Sequence, residues 1–174
     1  MKAFRHFITI TKHRHAVMRH CFKAGIPWRG LLHDLSKYTP AEFIPGARYY
    51  QGNKSPQVEE RRLFGYSAAW LHHKGRNKHH FEYWSDYVHG VGVAPIEMPL
   101  SYVIEMFCDR VAACKIYQKD AYRQDAALRY YENAKSHYVM HPNTAALLEK
   151  LLEMLAQQGE DAVFHYIRSE LLGK

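Results

Sequence analysis

The stretch Leu31-Leu32-His33-Asp34-Leu35-Ser36-Lys37 sets an imidazole beside a carboxylate at the close of a short apolar run. A lone His-Asp dipeptide carries almost no information. Here it follows His13 by twenty residues and precedes the cluster His72, His73, His79 and His80, with Asp109 further on in an apolar segment. Imidazole and carboxylate together match the donor preferences of a divalent metal of intermediate hardness, such as Mn, Fe, Co, Ni or Zn. Neighbouring side chains on a helix point about 100° apart, so His33 and Asp34 reach one ion only near a helix end or kink. The breaker-rich Lys37-Tyr38-Thr39-Pro40 supplies that end. Lys37 lies four residues after His33 and three after Asp34, on the same helical face, where an ammonium can meet a phosphate oxygen. The plainer reading of Asp34 and Lys37 is a surface ion pair contributing less than about 1 kcal/mol.

Outward from this stretch the pattern is helical. Thr9 to Ala24 reads as a helix closed by Gly25 with Pro27 beyond it. Trp28 to Lys37 reads as a short second helix carrying His33 and Asp34. Thr39, Pro40 and Glu42 fit the N-cap, N1 and N3 positions of a capping box opening a third helix. Residues 51–57 read as a loop, Val58 to Lys74 as a fourth helix stopped by Gly75, and His79 to Tyr87 as a further short helix. Val88 to Met98, with Gly90, Gly92 and Pro95, is the longest irregular connection, and Pro99 opens the helix of Asp109. Asp120 to Tyr138, Asn143 to Gln158 and, after Gly159, Asp161 to Leu172 complete the chain. No segment alternates with period two for long enough to predict a strand. The expectation is one all-α domain over residues 1–174, a bundle of about seven to eight helices.

Asp109 stands between Val103, Ile104, Met106 and Phe107 on one side and Val111, Ala112 and Ala113 on the other. A carboxylate in such company is costly unless it is paired or bound to a metal. Glu105, one turn earlier on the same face, is placed to orient a ligand histidine through its other ring nitrogen. Arg76, Asn77 and Lys78 lie between the histidine pairs, where an anionic substrate would sit; Arg14, Arg48 and Arg110 are weaker candidates. Trp70, Tyr83 and Trp84 could stack on a base, although aromatics at helical spacing more often belong to a core.

The chain of 174 residues is 47% hydrophobic and 24% charged, ordinary for a globular domain. No apolar run approaches the roughly 18 residues a membrane helix needs. Three cysteines without C-x-x-C spacing read as reduced thiols of a cytoplasmic protein. The net charge of +7 favours anionic partners or is simply a solvated basic surface.

The order His13, His33-Asp34 and Asp109 resembles the HD superfamily of metal-dependent phosphohydrolases, and the stretch His73 to His80 resembles the extra histidines of its two-metal members. The phrases WRGLLHDLSKYTPAEF and HHKGRNKHHFEYW look like a small HD-like family of that kind, and the resemblance covers roughly residues 9–115. That family's first motif places a valine four residues after its histidine; His13 with Val17 fits, and His15 is the rival. The gap from His13 to His33 is shorter than the family pattern. The resemblance implies an HD-domain-like bundle; the helices from about residue 118 to 174, amphipathic and poor in ligands, read as packing surface or a homodimer interface. It implies His13, His33, Asp34, His73, His79, His80 and Asp109 as metal ligands, enough for two ions, which need about six protein ligands. It also implies Asp34 and Lys37 as catalytic groups, and a phosphorylated small molecule, nucleotide or cyclic nucleotide as substrate. Two other readings stand beside it: a di-iron oxygenase built on the same ligands, and a non-enzymatic basic helical protein binding nucleic acid.

Overall fold

A computed structural model describes residues 1–174. Helix α1 (Lys2–Lys23) begins well before Thr9, because His6 is buried against α3 and Thr9 Oγ1 hydrogen-bonds Tyr50 Oη at 2.8 Å. It closes at Gly25, and Pro27 opens α2 (Pro27–Leu32). The predicted helix Trp28 to Lys37 does not run through. It breaks at His33 and Asp34, Asp34 takes a left-handed backbone (φ 54°, ψ 26°), and a 3₁₀ turn follows over Leu35–Tyr38. Arg14 holds the break from α1, its Nε donating to the His33 carbonyl at 3.2 Å and its terminal nitrogen to that of Leu31.

Helix α3 (Pro40–Arg48) starts after Thr39 as expected, but without the capping box. The Thr39 hydroxyl donates back to the Ser36 carbonyl at 2.7 Å, and Glu42 turns inward. The single helix expected over Val58–Lys74 is two, α4 (Pro56–Phe64) and α5 (Ala68–Lys74). Gly65 between them sits at φ +80°, which a side chain would strain. Ser67 then caps α5, its Oγ accepting from Trp70 N at 2.9 Å and donating to Glu60 Oε2 at 2.5 Å.

The expected helix His79–Tyr87 is instead a 3₁₀ turn at Phe81–Tyr83 leading into a two-stranded antiparallel hairpin, β1 (Ser85–Val88) and β2 (Gly92–Pro95). Helix α6 (Leu100–Gln118) follows Pro99 and is the central beam. Val103, Ile104, Phe107, Cys108, Val111 and Ala112 on it are almost inaccessible, packed between α1 and α8. The predicted helix Asp120–Tyr138 shortens to α7 (Ala126–Ala134). Helix α8 (Pro142–Tyr166) bends sharply at Gly159 (φ 87°, ψ 177°), where the sequence predicts a stop. Its Leu148, Leu151, Leu152 and Leu155 lie in the core of this same chain. The fold is thus all-α, eight α-helices with one small exposed hairpin. No helix is long and apolar enough to cross a membrane.

Candidate metal centre

Five separate segments bring their polar side chains to one point under α6. Helix α1 contributes His13, the break after α2 contributes His33 and Asp34, α5 contributes His73, the following turn contributes His79 and His80, and α6 contributes Asp109. His13 is buried and His15 is exposed, so the structure separates the two rivals on α1.

Asp34 divides its two oxygens between two groups. Its Oδ2 lies 3.2 Å from His33 Nε2 and 3.7 Å from His13 Nε2. Its Oδ1 lies 3.3 Å from His73 Nε2 and 3.5 Å from His79 Nε2. Asp109 closes the first group, its Oδ1 standing 2.9 Å from His13 Nε2 and 3.6 Å from His33 Nε2. One set of candidate ligand atoms is therefore His13, His33, Asp34 and Asp109, the other Asp34, His73, His79 and His80, and within each set all four atoms lie within 4.8 Å of one another. The left-handed turn at Asp34 is what lets adjacent residues face inward together.

Outer carboxylates fix the ring orientations. Glu105 Oε1 is 2.9 Å from His33 Nδ1 and 3.3 Å from His79 Nδ1, which turns both Nε2 atoms to the centre. Glu42 does the same on the other side, accepting from His73 Nδ1 at 2.7 Å and from His72 Nδ1 at 2.8 Å. This role for Glu42 has no signature in the sequence, where Thr-Pro-Ala-Glu matches a helix cap. His72 ends on the outer side of Glu42, away from the centre.

Buried polar atoms almost always find a hydrogen-bond partner. Ten buried side-chain atoms of this chain lack a well-directed hydrogen bond, and seven converge here: Nε2 of His13, His33, His73, His79 and His80, and both oxygens of Asp34, one of which meets Lys37 as an ion pair. Electrostatics polarise the same point. Burial opposes ionisation of Asp34, but His33, Lys37 and His73 outweigh it and hold the carboxyl well below its usual range. Burial likewise opposes charge on Asp109, and hydrogen bonding to His13 and His33 pulls it well down. His33 is raised well above the ordinary imidazole value, burial being overcome by Asp34, Asp109 and Glu105. Burial lowers His13 and His80, with Lys37 adding to the first and His79 to the second. Two ionised carboxylates thus stabilise positive charge among imidazoles with free nitrogens, and that mixed N/O set fits a divalent transition metal.

Lys37 Nζ stands 2.5 Å from Asp34 Oδ2. Burial works against its charge, yet Asp34 and Asp109 raise it above the usual lysine value, so it remains an ammonium. Lys37, His13, His73, His80 and Asp109 floor a cleft of about 190 Å³ that also exposes His6 and Tyr117. Tyr117 was findable in principle, since Asp109, Ala113 and Tyr117 share one face of α6 at four-residue spacing. His6 has no such signal.

The structure does not bring Arg76, Asn77 and Lys78 to this cleft. Asn77 is buried and ties the turn shut, its Nδ2 donating to Ser36 Oγ at 2.7 Å and to the His73 carbonyl at 2.8 Å. Arg76 and Lys78 flank it on the outside, Arg76 donating to the His72 carbonyl and the Lys78 ammonium lying 5.5 Å from the Tyr83 ring. Tyr83 and Trp84 pack on each other and Trp84 on Tyr102, whereas Trp70 lines the cleft.

The chain belongs to a family of unknown function, DUF5662, whose model matches residues 2–154. No curated protein and no solved structure matches it.

Proposed function

We propose that the chain is an HD-type metal-dependent phosphohydrolase acting on a small phosphoester such as a nucleotide or cyclic nucleotide. The observation that carries the reading is the Asp34 carboxylate, shared between two four-atom sets whose five inward imidazole nitrogens have no hydrogen-bond partner outside the centre. His13, His33, Asp34 and Asp109 would hold one ion, and Asp34, His73, His79 and His80 a second. Metal bound there supplies Lewis acidity and an acidified water for attack at phosphorus.

The protein's own groups do the rest. Glu105 and Glu42 hold the Nδ1 protons of His33 and His73, so each ring presents Nε2 inward. Lys37 keeps a positive charge on the cleft floor, where a phosphoryl oxygen of the substrate gains charge as the reaction proceeds. Burial of the histidines excludes bulk water from one side of the centre and leaves the cleft as the approach.

The test is metal analysis of protein purified without chelator, followed by a panel of phosphomonoesters and phosphodiesters. About one to two equivalents of transition metal and turnover of at least one ester are expected, on the ligand count above. Metal-free protein whose melting temperature is unmoved by Mn, Fe, Ni or Zn would overturn the proposal.

A further inference from the structure

A second cleft of about 510 Å³ opens beside the first and shares Trp70, His80, Asp109 and Tyr117 with it. The shared residues make it a continuation of the metal cleft, and its volume falls in the range of small-ligand sites. Its character differs from the metal end. The walls are aromatic and apolar, with Trp70 from α5, Phe81 from the turn after the histidines, Tyr130 from α7 and Tyr138 beyond it. Two guanidinium groups lie over those rings, Arg61 at 5.4 Å from the Trp70 centroid and Arg110 at 5.2 Å from that of Tyr138. The arginine ion pairs of this chain belong to Arg62, Arg123 and Arg129; Arg61 and Arg110 make none, although Glu82 lines the same cleft and feels both of their charges.

A packed core would not need this combination. Phe81 and Tyr138 pack on each other at 4.9 Å and anchor the wall in the core, whereas Tyr130 is 62% exposed at the mouth. Flat rings against aromatic walls gain stacking energy whatever their substitution pattern, and unpaired arginines add a bias towards anionic molecules. Smaller phosphoesters would engage only the first cleft and leave these walls wet.

We infer that the second cleft is the subsite for the non-reacting part of the substrate, a flat aromatic ring carried by a phosphoester whose phosphate sits over the His13–Asp109 end. The inference rests on the phosphohydrolase reading and adds what that reading leaves open, the half of the substrate that decides specificity. It also moves substrate recognition from the 76–78 turn to Trp70, Tyr130 and Arg61.

The experiment is calorimetric binding to the full chain supplemented with Mn²⁺, using ribose 5-phosphate, adenosine 5′-phosphate and phenyl phosphate. The first carries no ring, the second a ring held off by the sugar, the third a ring directly on the phosphate. Adenosine 5′-phosphate should bind at least about tenfold tighter than ribose 5-phosphate, the scale of one stacked base. Tyr130→Ala should collapse that ratio to below about threefold, and Tyr130→Phe should keep it, because the ring and not the hydroxyl makes the contact. Phenyl phosphate binding as tightly as the nucleotide would support the subsite with the ring seated next to the metal end. Equal affinities for all three probes would overturn the subsite and leave the phosphohydrolase reading standing. Failure of every probe to bind, together with no turnover on the ester panel, would overturn both.

Discussion

Two histidines on one face of α1 show how differently burial is used in this molecule. His13 and His20 are seven residues apart, both buried, and both pack against α6 one residue apart, at Asp109 and Cys108. His20 is fully satisfied: its Nδ1–H donates to the Cys108 carbonyl at 3.3 Å, and Lys115 donates to its Nε2 at 3.2 Å. Glu160, just past the bend in α8, pairs with Lys115 and, at 3.2 Å, with Lys23 and closes that network. His13 Nε2 instead meets only carboxylate oxygens, Asp109 at 2.9 Å and Asp34 at 3.7 Å, with no well-directed hydrogen bond to the rest of the fold. Burial is therefore not the mark of a binding histidine. The mark is a set of inward nitrogens left unsatisfied around ionised carboxylates.

The comparison breaks first at Asp34. Asp34→Ala removes the oxygens both ligand sets share, so metal content should fall at least about tenfold and ester turnover at least about 10³-fold, with the helical circular dichroism retained. Full metal occupancy in that variant would put the ligands elsewhere. Lys37→Ala should lower turnover about 10²-fold with metal content near wild type, and Lys37→Arg should restore little, because a planar fork does not replace a compact charge. Steady-state kinetics paired with metal analysis reads both.

The two histidines should then give opposite phenotypes. His13→Gln should weaken metal binding roughly 10- to 100-fold while changing chelator-treated stability by less than about 1 kcal/mol. His20→Gln should cost about 1–3 kcal/mol in urea unfolding and leave metal affinity alone. If both variants lost metal equally, the distinction between the two ends of α1 would fail.

The smallest effect is the pH slope. Burial, and next Lys115, lowers His20 to about 4. In the unfolded chain it takes a proton near 6.5, so the unfolded state binds more protons between those values. Stability is then full above about pH 6.5, falls as pH drops towards 4 and levels off below, by up to about 3 kcal/mol. His6, lowered to about 4 by burial and then Lys37, adds to the same window. Urea midpoints at pH 7 and 4.5 in chelator should differ less in His20→Gln than in wild type; an unchanged difference would contradict the assignment.

What is legible in the sequence is local. Helical periodicity and punctuation place α1, α3, α6 and α8 and a break at Gly159, and donor chemistry gathers His13, His33, Asp34, the cluster His72, His73, His79 and His80, and Asp109, from which the family resemblance sets His72 aside. What is not legible depends on distant partners. Glu42 has the sequence of a cap, and only its meeting with His72 and His73, thirty residues on, makes it a support for the centre. Arg76 and Lys78 sit between candidate ligands in sequence but outside them in space, because Asn77 ties the turn inward. The hairpin escapes because its strands are four residues each and none of those residues is buried, so no buried face imposes alternation.

The left-handed backbone at Asp34 narrows what can replace it for a reason unrelated to reactivity. At φ 54° most L-residues bear a penalty of about 1–2 kcal/mol, and Asp, Asn and Gly are the tolerant choices. Glutamate keeps the charge but is disfavoured by the turn, and glycine keeps the turn without offering an oxygen. Asparagine keeps the turn and one side-chain oxygen while discarding the negative charge. Among diverging relatives, asparagine at this position beside an intact His33 would therefore mark a chain that keeps the turn while losing the carboxylate both candidate ligand sets share.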